Sequence, residues 1–107
     1  MSANSHSRRQ KLEAFLASHP GDAFGRYGLA MECARDGDNE AALENFQQLL
    51  ESHPDYVAGY FQFGQLLAKL GRTELARQTL STGIAVAERL GDTHAAGEMQ
   101  AALDSLA

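Results

Sequence analysis

The chain has 107 residues, enough for one domain that closes a core without disulfides or metals. Hydrophobic residues make up 44% and charged residues 21%, an ordinary globular balance that argues against wholesale disorder. The formal net charge of −5 disfavours broad binding to nucleic acid, and the single Cys33 excludes an internal disulfide framework or a multi-cysteine zinc site. No stretch approaches the roughly 20 consecutive apolar residues of a membrane helix. The polar Met1–Gln10 segment leads into no signal-peptide core, so the expected compartment is the cytoplasm.

In chain order, residues 1–6 read as a flexible tail and 7–107 as a single domain. Ser7 with Gln10 fits a capping box, and Leu12, Phe15 and Leu16 give residues 7–19 the apolar face of an N-terminal capping helix. Asp22 is placed to cap a helix running to about Asp36, and Asp55 one ending near Leu70. Asp38 or Asn39, and then Thr73, open helices of about 39–52 and 73–90. Gly37, Gly71 and Gly91 stand where helix ends want positive φ. Asp92 or Thr93 opens a last helix, within residues 92–107, whose stripe is Ala95, Met99, Ala102, Leu103 and Leu106.

Two of these segments are copies of one another. Ser18-His19-Pro20 recurs as Ser52-His53-Pro54, a shift of 34 residues. The same shift carries Gly25 onto Gly59, Tyr27 onto Phe61, Ala34 onto Ala68, Gly37 onto Gly71 and Ala42 onto Ala76. Residues 20–53 form the first unit and 54–91 the second, with a terminal helix on either side to complete a stack of three pairs.

The period, and a two-helix unit closing on proline, resemble the tetratricopeptide repeat family, whose pattern is W-x2-L-G-x2-Y, A-x3-F, P. The first copy reads Arg26-x2-Leu29-Ala30-x2-Cys33, Ala42-x3-Phe46, Pro54. The second reads Tyr60-x2-Phe63-Gly64-x2-Leu67, Ala76-x3-Leu80, with Glu88 in place of the proline. Arg26 for the aromatic, Gly83 in the second helix and the missing proline are its departures. The resemblance implies an all-α fold, a right-handed helix-turn-helix solenoid of about six helices.

In such a solenoid the first helix of each unit lines the inner face. Phe24, Tyr27, Met31 and Ala34 share one face of the first, and Ala58, Phe61, Gln65 and Ala68 the matching face of the next. Arg35 and Lys69 lie at one rim. The candidate groove therefore consists of Phe24, Tyr27, Met31, Arg35, Phe61, Gln65 and Lys69, suited to a peptide or helix of a partner protein. The plainer alternative is that these side chains pack on each other or on a terminal helix. Some tetratricopeptide domains clamp a C-terminal carboxylate with lysine and asparagine. Tyr27, Met31, Gln62 and Gln65 stand in the groove here, which disfavours that ligand.

Other motifs carry less. Asp36 to Glu40 has the outline of a calcium loop, but the required glycine and terminal glutamate positions hold Ala41 and Gln47. His19 and His53 occupy equivalent corners, and Cys33 a small-residue core position, which favours an inert thiol. Acidic residues crowd between Arg35 and Lys69, read first as a solvated face and as helix-dipole partners. No catalytic constellation stands out. The expectation is an interaction module without enzymatic activity, cofactor or metal, binding no nucleic acid and no membrane, as a monomer or weak homodimer. A second reading has it self-associate through the groove or through the Met99 and Leu103 face of the last helix.

Overall fold

Glycine punctuation sets three of the helix ends. Gly37, Gly71 and Gly91 have φ of 80°, 78° and 78°, the left-handed conformation that glycine adopts without steric cost. The computed structural model describes residues 2–106, with side chains from Ser7 onward. It holds six α-helices and, among the described residues, no strand. They are α1 (Ser2–Ser18), α2 (Ala23–Arg35), α3 (Asn39–Ser52), α4 (Val57–Lys69), α5 (Thr73–Arg89) and α6 (Thr93–Asp104). The all-α class expected from the sequence is the class observed.

The chain divides into two compact units, Met1–His53 and Pro54–Ala107, of three helices each. In the first, α2 packs against both α1 and α3. Leu29, Ala30 and Cys33 of α2 are buried with Ala42, Leu43, Phe46 and Leu49 of α3. Ala30 and Ala42 are completely buried, and their small size permits close helix approach. Leu12 of α1 lies beside Gly28, and Phe15 beside Gly25. Full burial of a side chain such as Phe46 or Leu49 contributes about 1.5–3 kcal/mol.

In the second unit α5 packs against both α4 and α6, and α4 touches α6. Tyr60, Leu66, Leu67, Ala76, Leu80, Ala87, Ala96 and Met99 form its core. Phe63, which stands at a position of the repeat pattern, is only half-buried. Gly83, a departure from the repeat pattern, has a packing reason. A Cβ there would stand 2.5 Å from Tyr60 Cβ and 2.6 Å from Met99 Sδ.

Several cap assignments change. Asp55, expected to cap α4, forms an ion pair with Arg89, and Tyr56 holds the cap position without a side-chain hydrogen bond. Thr73 is the first residue of α5, behind Arg72 at its cap. The repeat register explains both. Asp22 and Asp38 cap α2 and α3 by accepting from the Gly25 and Ala41 amides at 2.7 and 3.3 Å. Shifted by 34 residues they become Tyr56 and Arg72, which lack a short acceptor. Asp92 caps α6, accepting from the Ala95 amide at 3.1 Å. At the other end, α1 begins at Ser2 rather than at Ser7, since no glycine or proline interrupts residues 2–6.

Candidate functional site

The α2 members of the expected groove lie in the first unit and the α4 members in the second. On α2, Phe24 is 76% exposed, Arg35 is exposed, and Tyr27 and Met31 are half-buried. The Tyr27 ring meets Phe46 edge to face, with centroids 6.4 Å apart at 68°. Tyr27 thus supports the core of its unit as well as facing outward. On α4, Phe61 is half-buried, and Gln65 and Lys69 are exposed.

Phe61 borders a cavity of about 240 Å³ inside the second unit. Val57 and Ala58 of α4 line it with Phe61, and Ala95 of α6 faces the same space. Asp92 and Glu98 bring two carboxylates to it, and His94, also at the cavity, lies 3.6 Å from Glu98. Ala58 and Phe61 share the helix face read in the sequence. The α6 half was missed, because no periodicity in α4 reveals which later helix will face it.

Each unit fastens its repeat corner at the position where the family pattern puts a bulky aromatic. In the second, the Tyr60 hydroxyl donates to the Pro54 carbonyl at 2.8 Å. In the first, the Arg26 guanidinium donates to the Pro20 carbonyl at 3.2 Å and to Asn45 Oδ1 at 3.1 Å. Arg26 therefore makes the same backbone contact, six residues back, that Tyr60 makes. Burial pushes the Tyr60 phenol above its usual range, Asp55 adds to the rise and Arg89 opposes it.

Charge in the first unit is largely answered from within. Arg9 of α1 donates to Asp38 Oδ2 at 2.9 Å, with Asp36 at 3.9 Å and Glu13 at 3.4 Å, and Arg8 lies 3.3 Å from Glu32. The hydrogen bond from Arg9, aided by the Ala41 amide, holds the Asp38 carboxyl below its usual range. Asp36 and Asp38, from the segment with the outline of a calcium loop, thus meet an arginine at a helix corner. His19 stacks on Phe15 at 4.5 Å, and His53 Nε2 lies 3.0 Å from the Gly21 carbonyl. Among the described residues no three His, Cys, Asp or Glu side chains form a metal-binding group. Burial pushes the Cys33 thiol up, the opposite of what a nucleophile needs. No helix among the described residues is long and apolar enough to cross a membrane.

Met99 corrects one expectation outright. Proposed from the sequence as part of a self-association face, it is wholly buried beneath Gly83. Leu103, the other residue of that face, is half-buried.

Known proteins place this architecture. The family model described as tetratricopeptide repeat matches residues 34–103. A TPR repeat-containing protein of Pseudomonas aeruginosa is 36% identical over 95 residues, covering 89% of this chain and 90% of that one. Among solved structures, a tetratricopeptide repeat domain protein from Salinibacter ruber is 39% identical, with a TM-score of 0.75 over 78% of this chain and 85% of its own. A Bordetella parapertussis protein is 30% identical, with a TM-score of 0.79 over 92% of this chain and 85% of its own. With the 34-residue register and the Pro20 and Pro54 corners already in place, these likenesses settle the matter: the chain belongs to the tetratricopeptide repeat family.

Proposed function

We propose that this protein is a non-enzymatic interaction module that binds a peptide or helix of a partner protein through the exposed faces of α2 and α4. The family's fold generally mediates protein–protein interaction, and its members are generally non-enzymatic scaffolds. The observation that carries the reading here is Phe24. An aromatic side chain left 76% exposed at the start of α2 forgoes most of the roughly 1.5–3 kcal/mol that its burial would supply. Met31 on α2 and Phe61 on α4 extend the apolar character of those faces, while Arg35, Gln65 and Lys69 offer polar contacts at their far ends. Tyr27 acts as a rigid anchor because Phe46 fixes its ring. The reading includes a cytoplasmic setting, where a lone buried Cys33 needs no disulfide partner.

Selection from a displayed random-peptide library tests the proposal. Peptides enriched on the wild-type protein should bind Phe24→Ser about tenfold more weakly, the scale of one lost anchor. The thermal midpoint should not fall, because Phe24 is exposed. Peptides that bind both proteins equally would contradict the assignment of the α2 face.

A further inference from the structure

We infer that the cavity of the second unit docks a basic side chain flanked by apolar residues, so that the partner segment carries lysine or arginine at this point. The inference rests on the interaction-module reading and adds the chemistry of the ligand. Val57, Ala58, Phe61 and Ala95 give the cavity an apolar lining, and Asp92 and Glu98 are its charged members. No lysine or arginine reaches it. Residues 90–107 contain Asp92, Glu98 and Asp104 and no lysine or arginine at all. Arg89 is paired with Asp55, and Lys69 ends the opposite end of α4 from Val57. His94 stands 3.6 Å from Glu98 at the same opening.

This combination selects among ligands. A carboxylate or phosphate entering the cavity would meet Asp92 and Glu98 at close range, a like-charge cost that excludes it. A purely apolar residue would fill the space but offer the two carboxylates no partner. An arginine or lysine lays its methylene stem along Phe61, Val57 and Ala58 while its charged head stays beside the carboxylates. The unit is therefore the reverse of a carboxylate clamp.

Three fluorescein-labelled synthetic peptides test this: a Leu-Arg-Phe core, and the same peptide with glutamine or with glutamate in place of arginine. Titration followed by amide NMR should shift Ala58, Phe61 and Ala95, and anisotropy should rank arginine above glutamine above glutamate, with about tenfold between the extremes. Glu98 is exposed and caps nothing, so Glu98→Lys, which brings the two charged positions to a net of zero, should keep the fold and abolish that ranking. Added salt should narrow the ranking. Equal affinities for the three peptides, no binding of the arginine peptide, or an unchanged ranking in Glu98→Lys would overturn the inference. Library-selected peptides that still need Phe24 in that event would leave the interaction reading standing, which separates the two failures.

Discussion

The two units place the same repeat in the same register and hold it by different means. In the first, charged and hydrogen-bonding side chains do the fastening: Arg9 spans α1 to Asp38, and Arg26 bridges the Pro20 carbonyl and Asn45. In the second, side chains close directly onto glycine backbone, with Tyr60 and Met99 against Gly83 of α5, and Leu80 against Gly64 of α4. Long polar side chains tolerate small changes in helix spacing, whereas a glycine contact does not. The lesson is that a repeat pattern specifies positions and sizes, and that distinct chemistry can satisfy it.

The sharpest way to break this comparison is a single methyl group. Gly83→Ala should destabilise the protein by about 1–3 kcal/mol, even though alanine is the better helix former, because Tyr60 Cβ has no room to retreat. Gly28→Ala, where Leu12 stands at an ordinary 3.5 Å, should be neutral or stabilising by up to about 1 kcal/mol. Urea unfolding of the two variants reads the opposite signs directly.

Next in size is the shared corner contact. Tyr60→Phe removes only the hydroxyl that donates to Pro54 and should cost about 1 kcal/mol. Arg26→Met keeps the apolar stem but loses the bonds to Pro20 and Asn45, and should cost a similar amount. A loss confined to Tyr60→Phe would mean that Arg26 does not replace the aromatic.

Much of this was legible in the sequence, for identifiable reasons. Glycine stops and the prolines placed the helix boundaries, since their backbone preferences act locally. Ala42, Phe46, Ala76 and Leu80, which fill the A-x3-F positions of the two repeats, are all buried, because a four-residue spacing keeps both members on one helix face. Asp55 and Thr73 have the local chemistry of caps, but the repeat register puts Tyr56 and Arg72 at the cap positions, so local signals alone do not identify them. Met99 and the α6 side of the cavity depend on which helices meet, and no single helix carries that information.

The smallest effect concerns charge in the first unit. Asp38 has its folded-state pKa lowered, so its contribution is present above its ordinary carboxylate pKa and disappears as pH falls through the folded value. Asp38→Asn retains a capping side chain but weakens the partner of Arg9. Thermal melting should therefore favour the wild type slightly at neutral pH, and the gap should close on acidification. A gap that widened in acid would contradict the Arg9 assignment.

The central claim, that the α2 and α4 faces receive the partner, is tested most directly by amide NMR of the labelled protein titrated with a library-selected peptide. The account predicts that shifts cluster at Phe24, Tyr27 and Met31 of α2 and at Ala58, Phe61 and Gln65 of α4. Shifts centred instead on the exposed sides of α3 and α5, at Gln47, Glu51, Gln78 and Thr82, would contradict it.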